Sequence, residues 1–167
     1  RRKSGGGCVY SDKGNIMLSY ITDTTDVAAA FEKYLDELSG YLSATGVNAY
    51  KSGRNDVMID GKKVSGNAFF LKPQSSIVHG TMLFDTDFDA LERAITPSGA
   101  KIQSKGVSSV RQHVTNLKPL YEKLDSPLRN IDLFKLYLKK CFCSEGETID
   151  EIVLSDAQIA DIEEIEA

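Results

Sequence analysis

The sequence lacks long apolar runs and is poor in cysteine. No stretch approaches the roughly 20 apolar residues that a membrane-spanning helix requires, so no membrane partner is expected. The three cysteines, Cys8, Cys141 and Cys143, form neither an even disulfide set nor a Cys-x-x-Cys pair, which predicts a reducing, cytoplasmic compartment. Cys141 and Cys143 end an apolar helical pattern with no histidine nearby. We therefore interpret them as buried residues and predict no protein metal centre.

The sequence also lacks a surplus of positive charge. Its 20 Lys and Arg residues against 24 Asp and Glu residues give a net charge of −4, which argues against nucleic acid as the main partner. Acidic residues crowd the end of the chain, at Asp156, Asp161, Glu163, Glu164 and Glu166. The first two-thirds are balanced or basic, which suits an anionic nucleotide there. A length of 167 residues and 41% hydrophobic residues predict one domain, residues 1–167, with a core.

Short apolar stretches separated by turn residues predict a sheet. The predicted strands are Cys8–Tyr10, Asn15–Ile21, Val47–Tyr50, Val57–Ile59, one that begins at Lys62, Ser75–Phe84 and, as an edge strand, Ile149–Leu154. The Asp60-Gly61 pair predicts a tight hairpin turn. Helices are predicted to start at Thr24 or Thr25 and at Asp85 or Thr86, to cover Leu117–Leu124 and Ile131–Phe142, and to follow a Ser155–Gln158 capping box. This order indicates an α+β fold with a mixed, mainly antiparallel sheet flanked by helices.

The first ten residues, RRKSGGGCVY, combine a glycine triplet with two arginines. Three glycines leave backbone N–H groups uncovered, so a phosphate can lie directly against the main chain while arginine donates to its oxygens. A glycine triplet beside basic residues, taken alone, is more often a flexible turn. The segment therefore becomes informative only together with the motifs that follow it.

Four further motifs follow in a fixed order. They are Arg54-Asn55-Asp56, the run GKKVSGNA at residues 61–68, His79-Gly80-Thr81, and the pair KGVSSVR at 105–111 with VTNL at 114–117. Together with the first ten residues, this set resembles the lipoate-protein ligase family. The resemblance implies a biotin/lipoate-ligase-like fold and an enzyme that uses ATP, as its Mg²⁺ complex, to convert lipoate to lipoyl-AMP. The lipoyl group would then pass to a specific lysine of an acceptor domain.

The resemblance also implies a set of site residues. It assigns ATP or lipoyl-AMP to Arg2, Gly7, Cys8, Val9, Tyr10, Asp56, Lys63 and His79, and lipoate to Gly6, Gly7 and Lys63. The catalytic residue would be Lys63, because it occupies the family's lysine before Val-Ser-Gly. Adenylation brings a carboxylate against the α-phosphate of ATP, and a fixed ammonium would stabilise the negative charge of the transition state. Strand alternation predicts that Lys62 points to the opposite face.

Several neighbouring residues leave alternatives open. Asp56 would bind the nucleotide or its magnesium, or it is a turn aspartate that bonds its own backbone. His79 is either a pocket residue or a strand histidine with its hydrogen bonds satisfied. Gly66 and Ala68 are small enough to let a ligand lie close to the backbone. The loop at 101–111 is expected to support the packing of the helix beneath it.

Three alternative functions deserve a test. A related octanoyl or lipoyl transferase needs no ATP and uses a cysteine nucleophile, which one branch places just before the position of Arg54. Residues 48–53 contain no cysteine, which favours the ligase. A module that only binds lipoate or its adenylate is a second alternative. A biotin ligase is a weaker third, because the Arg-Arg-x-Ser-Gly-Gly-Gly pattern fits the lipoate branch better.

The resemblance also predicts partners and missing parts. The expected acceptors are lipoyl domains of 2-oxoacid dehydrogenase E2 subunits and the glycine-cleavage H protein. In the family, strands precede the Arg-Arg motif and a small accessory domain often follows the catalytic domain. We expect both to lie outside this chain, which starts at Arg1 and ends at Ala167.

Overall fold

The strands of the first half form one antiparallel sheet in a computed structural model that describes residues 9–53, 55–95, 113–143 and 152–166. The strands are β1 (Asn15–Thr22), β2 (Ala49–Lys51), β3 (Asp56–Ile59), β4 (Lys62–Lys72) and β5 (Ser75–Leu83). Their order is β1-β5-β4-β3-β2, and each neighbouring pair is antiparallel. The predicted α+β class and mainly antiparallel sheet are confirmed.

The turn between β3 and β4 follows directly from its two residues. Asp60 and Gly61 both have positive φ angles, 48° and 77°. A two-residue hairpin turn with both central residues in this region matches the right-handed twist of the strands, and Asp-Gly is a preferred sequence for it. The predicted hairpin is therefore confirmed.

Helices follow and flank the sheet. They are α1 (Val27–Ser43), α2 (Phe88–Ile95), α3 (Lys118–Lys123), α4 (Ile131–Phe142) and α5 (Asp156–Glu166). The capping box before α5 is confirmed, because the Gln158 N–H donates to Ser155 Oγ at 3.3 Å and the Ser155 N–H donates to Gln158 Oε1 at 2.9 Å.

Two helix caps differ from their predicted residues. Asp26, rather than Thr24 or Thr25, caps α1, and its carboxylate accepts the Ala29 N–H at 3.1 Å. At α2, Asp87 accepts the N–H groups of two residues of the first turn, at 2.9 and 3.0 Å, so Asp85 and Thr86 are not the cap. A carboxylate is a strong acceptor and also interacts favourably with the positive end of the helix dipole.

Two predicted strands are wrong in the described residues. Val9 and Tyr10 precede β1 without strand pairing, and Cys8 lies outside the described residues. Asp12 accepts the Gly14 N–H and donates its own N–H to Asn15, both at 2.8 Å, so the turn expected before β1 is present although the strand expected before this turn is not. Residues 152–154 are exposed and form no strand, while 149–151 lie outside the described residues.

One face of the sheet, the inner face, packs against α1 and α4. Its buried residues are Ile16, Val57, Ile59, Val64, Val78 and Met82, which form a core with Tyr34, Leu35, Leu38 and Leu42 of α1 and Phe134 and Leu138 of α4. The opposite, outer face is open at Met17 and Ile21, which are 58% and 68% exposed. Among the described residues, no helix has the length and apolar character needed to cross a membrane.

Gly14 closes the end of the sheet, and its replacement tests this contact. Its carbonyl accepts the N–H groups of Phe84 and Asp85, and a Cβ on Gly14 would lie 2.1 Å from the Asp85 carbonyl oxygen. We expect Gly14→Ala to lower the free energy of unfolding by about 1–3 kcal/mol or more, measured by urea denaturation. Gly40→Ala in α1 is the control, since a Cβ there meets nothing within 4 Å. Its expected effect is a gain of about 0.5–1 kcal/mol. Equal effects of the two changes would contradict this account.

Candidate active site

The outer face of the sheet brings residues of separate motifs into one row. Asp56 of β3 pairs with Gly66 of β4, Gly66 pairs with Thr81 of β5, and Thr81 pairs with Met17 of β1. Side chains of directly paired residues lie on the same face of a sheet. The row therefore joins three of the motifs on the open side of the molecule.

A β-bulge brings Lys63 to the same face. Val57 pairs with Ser65, whereas the next residue of β3, Met58, pairs with Lys63, so Val64 is an extra residue on β4. Strict alternation would place Lys63 on the inner face with Ser65. The bulge reverses this, because an extra residue shifts the side-chain pattern of the strand, and Val64 takes the buried position instead.

The main chain of Lys63 is held by a distant segment. The Lys63 N–H donates to the His113 carbonyl at 2.8 Å, and the Lys63 carbonyl accepts the Thr115 N–H at 2.9 Å. Asn116 fixes the same segment, because its side chain exchanges two hydrogen bonds with the backbone of Thr86, at 3.1 and 3.0 Å. The VTNL motif thus stabilises the bulge and sets the backbone position of Lys63.

The ammonium of Lys63 lies beside the carboxylate of Asp56. Nζ is 2.9 Å from Oδ1, and the two side chains are 39% and 25% exposed. Oδ1 itself is buried, and no donor among the described residues reaches it with hydrogen-bond geometry, so the contact with Nζ is an ion pair without hydrogen-bond alignment. At this exposure the pair contributes no more than about 1 kcal/mol to stability. Its importance is that it places a cation and an anion together on an open face.

The backbone next to Asp56 is fixed by a reciprocal pair of asparagines. The Asn67 side chain donates to the Asn55 carbonyl at 3.0 Å, and the Asn55 side chain donates to the Asn67 carbonyl at 2.6 Å. Ser65 Oγ donates to Asn67 Oδ1 at 3.3 Å. The amide fits because Gly80 has no side chain, since a Cβ there would lie 1.9 Å from Asn67 Oδ1. Sequence reasoning missed Asn67, and an amide placed across from a strand glycine is the signal that could have found it.

A separate cleft of about 760 Å³ lies on the helix side of the sheet, between α1 and residues 51–55. Its walls include Phe31 and Phe69. The lysine that lines it, Lys51, forms ion pairs with Glu32 and Asp36, at 2.9 and 2.7 Å. Because two carboxylates surround Lys51 whereas one lies beside Lys63, this cleft is a poorer anion site than the outer face.

Comparison with known proteins identifies the family. The model of the lipoyl protein ligase A/B catalytic domain matches residues 1–142. The chain belongs to this family. Lipoate–protein ligase 1 of Staphylococcus aureus is 38% identical over 167 residues, which cover 99% of this chain and 49% of that protein. Lipoate-protein ligase LplJ of Bacillus subtilis is 43% identical over 118 residues, 70% of this chain and 36% of that protein.

Solved structures agree with this membership of the lipoyl ligase family. A bipartite lipoate protein ligase of Thermoplasma acidophilum, described with its E2 lipoyl domain, matches with a TM-score of 0.76 and 26% identity, over 98% of this chain and 64% of that one. A lipoate-protein ligase A bound with ATP matches with a TM-score of 0.69 and 24% identity, over 98% and 65%, and supports the fold alone. The chain spans about half the length of the curated relatives that it matches throughout.

The predicted site residues fall into two groups in this member of the family. Lys63, Asp56 and His79 share the outer face, with His79 paired to Ala68 in the next row, about 7 Å along the strands from the Gly66 row. Lys62 pairs with the inner-face residue Ile59, so the prediction that the two lysines point to opposite faces is confirmed.

The remaining site residues belong to the segment before β1. Val9 is half exposed, and the Tyr10 hydroxyl donates to Asp12 at 3.1 Å, close to the sheet end where β4 begins. The other residues assigned to ligands lie outside the described residues, together with Arg54 and the 105–111 loop; they are Arg2, Gly6, Gly7 and Cys8. The assignment of each residue to a ligand stays a prediction.

Removal of the Asn67 side chain tests the support of the site. Asn67→Ala deletes the bond to Asn55 and leaves the buried Ser65 hydroxyl without its acceptor. We expect the free energy of unfolding to fall by about 1–3 kcal/mol, measured by urea denaturation at constant m. Asn48→Ala is the matched control, because its amide bonds Asp60 at the surface, at 3.3 Å, and should change stability by less than about 0.5 kcal/mol. A loss of stability no larger than that of the control would contradict the supporting role of the Asn55–Asn67 pair.

Proposed function

We propose that the protein is a lipoate-protein ligase, which activates lipoate with ATP to lipoyl-AMP and transfers the lipoyl group to a lysine of an acceptor domain. The observation that carries this proposal is the Lys63 ammonium, held on the open face of the sheet beside Asp56. Family membership and relatives that are named lipoate-protein ligases support the same reaction.

In the first step, a carboxylate oxygen of lipoate attacks the α-phosphorus of ATP. A C–O–P bond forms, the bond to the β-phosphate oxygen breaks, and pyrophosphate leaves. Both reactants are anions, and the transition state spreads additional negative charge over the α-phosphate oxygens. The Lys63 ammonium lowers this repulsion, because a preorganised cation stabilises charge where it develops. Lys63 is positioned for this role by a main chain fixed on both sides, to His113 and to Thr115.

In the second step, the amine of an acceptor lysine attacks the carbonyl of lipoyl-AMP. The new amide bond forms as the bond to AMP breaks, and the acceptor amine loses a proton. The protein itself supplies no covalent nucleophile in this scheme. Lys63 would hold the carbonyl oxygen of the adenylate, where negative charge develops as the amine adds.

Magnesium fits the carboxylate of Asp56. Mg²⁺ is usually bound by one or two carboxylates together with substrate phosphates, and it neutralises phosphate charge when bound. The described residues contain no group of three or more His, Cys, Asp or Glu side chains that could hold a metal. Because Oδ1 of Asp56 already lies 2.9 Å from Lys63 Nζ, the other carboxylate oxygen of Asp56 would hold the ion together with the substrate phosphates.

The nucleotide and lipoate assignments extend to the segment before β1. We assign the nucleotide to Arg2 and to the backbone from Gly7 to Tyr10, lipoate to Gly6 and Gly7, and the rim of the adenylate site to His79. His79 lies on the outer face and Tyr10 bonds Asp12 just before β1 begins, which supports this assignment. We also infer that residues 1–167 belong to a single catalytic domain.

The cysteine-dependent transferase is the alternative within this fold. Its mechanism needs a thiolate beside the substrate carbonyl. In the described residues the two cysteines, Cys141 and Cys143, lie at the end of α4, the helix that packs against the inner face, whereas Lys63 and Asp56 lie on the outer face. This placement favours the ligase. A module that only binds the adenylate is the second alternative, because the chain covers about half of its curated relatives.

For partners, we propose lipoyl acceptor domains of E2 subunits and the glycine-cleavage H protein. A structural relative is described with its E2 lipoyl domain, which supports the first of these. The scarcity of cysteine supports a cytoplasmic location, where thiols stay reduced.

Pyrophosphate release tests the adenylation step. The purified protein is mixed with ATP, Mg²⁺ and lipoate, pyrophosphate is followed by a coupled assay, and lipoyl-AMP is identified by mass spectrometry. We expect lipoate-dependent release that falls at least about 100-fold in Lys63→Ala, because a charge-stabilising donor is lost. Lys62→Ala is the matched control on the opposite face of the strand and should keep the wild-type rate.

The outcomes separate the three functions. Binding of lipoate or lipoyl-AMP without release of pyrophosphate would favour the binding module. Transfer from an acylated donor domain without ATP would establish the transferase. A wild-type rate in Lys63→Ala would remove Lys63 from the mechanism.

A further inference from the structure

The space above Gly66 is filled by the side chain of Lys63. From the sequence, this glycine was expected to leave room for a ligand against the backbone. In the structure, a Cβ built on Gly66 would lie 2.7 Å from both Cε and Nζ of Lys63, and 3.6 Å from Asp56 Oδ1. The side chain of Lys63 therefore extends along β4 to Gly66, and its ammonium lies directly over this glycine.

We propose that Gly66 is a positioning residue for adenylation, whose missing side chain seats the Lys63 ammonium between itself and Asp56 on the outer face. This inference rests on the proposed function and deepens it. Gly66 of β4 pairs directly with Asp56 of β3, so the ammonium has a backbone without a side chain on one strand and a carboxylate on the other. The ammonium lies where these two meet.

Only the side chain of Lys63 can respond to a change at Gly66. The backbone at Lys63 is fixed by the bulge and by hydrogen bonds to residues 113–115. A methyl group at Gly66 would thus push the end of a flexible chain, not the sheet. The side chain is 39% exposed, so the displaced ammonium has solvent to move into. We infer that the substitution moves the cation while leaving the fold intact.

Gly80 shows the opposite case on the neighbouring strand. A Cβ on Gly80 would lie 1.9 Å from Asn67 Oδ1 and 2.9 Å from the Gly66 carbonyl oxygen. Asn67 is 4% exposed and its amide is bonded to Asn55 and Ser65, so a displacement of Asn67 breaks these hydrogen bonds. The two glycines therefore differ in kind, because one serves the packing of the sheet and the other serves the position of a single charged group.

The first experiment compares Gly66→Ala with wild type and with Gly80→Ala. We expect Gly66→Ala to keep a melting temperature within a few degrees of wild type, whereas Gly80→Ala loses stability. A crystal structure of Gly66→Ala should show Nζ more than about 4 Å from Asp56 Oδ1, beyond ion-pair distance. The single-turnover rate of lipoyl-AMP formation should fall about 10- to 100-fold, since a displacement of about 1 Å at a catalytic group has this effect.

Chemical rescue provides a readout that a purely structural role would not change. A small alkylamine such as propylamine can replace the missing ammonium in Lys63→Ala by entering the space over Gly66. In the double variant Lys63→Ala/Gly66→Ala a methyl group occupies that space. We expect propylamine to raise the rate of lipoyl-AMP formation in the single variant and to leave the double variant unchanged.

The proposal is overturned if Nζ stays within 3.5 Å of Oδ1 in Gly66→Ala, a distance close to the 2.9 Å of the wild type. It is equally overturned if Gly66→Ala unfolds like Gly80→Ala, or if propylamine rescues both variants alike. If wild type forms no lipoyl-AMP, the proposed function fails, while the Nζ–Oδ1 distance in the variant still decides whether Gly66 seats the ammonium. If propylamine fails to rescue Lys63→Ala, the Nζ–Oδ1 distance and the rate of lipoyl-AMP formation in Gly66→Ala decide whether Gly66 positions the ammonium.

Discussion

The candidate site depends on one irregularity, the extra residue at Val64. Without it, the lysine next to Val64 would point into the core, where its charge would have no water and no partner. With it, Val64 fills the core and Lys63 faces the open side. A single extra residue in the strand thus allows both an apolar interior and an accessible cation. Strict alternation of side chains would not allow both at these positions.

Amide side chains hold the main chain near Asp56 and Lys63. Asn67 connects β4 to the residue before Asp56, and Asn116 connects the segment beside Lys63 to the turn that follows β5. Each amide bonds to main-chain groups, which have definite directions and little freedom. The main chains that carry the carboxylate and the ammonium are consequently held by neutral groups, so the placement of the two strands does not depend on the weak attraction of the charges.

Local chemistry made much of the fold predictable from sequence. The Asp60-Gly61 turn, the apolar spacing of α4 and the capping box before α5 each involve residues within a few positions of one another. The same locality explains the errors in the helix caps, because Asp26 and Asp87 compete with neighbouring threonine or aspartate residues for the same N–H groups. Local patterns state which groups could bond, but the choice between nearby candidates depends on the final backbone path.

For the site, motif resemblance predicted Lys63, Asp56 and His79, and the structure places all three on one face. It did not predict the bulge, the contact of Gly66 with Lys63, or the role of Asn67. These features arise from contacts between strands, and spacing along one strand carries no information about which residue of a neighbour lies opposite. Gly66 was expected to leave room for a ligand, but in the structure the side chain of Lys63, three residues away, occupies this space.

The bond between Lys63 and residues 113–115 also sets an order for assembly. Strands β3, β4 and β5 are joined by tight turns, so they can pair through short-range contacts as soon as they are synthesised. The residues that fix Lys63 follow about 50 positions later, after a long loop has been closed. A nascent chain can therefore complete most of its sheet while the main chain of Lys63 is still unanchored, and this position is fixed only when the later half of the chain has folded back.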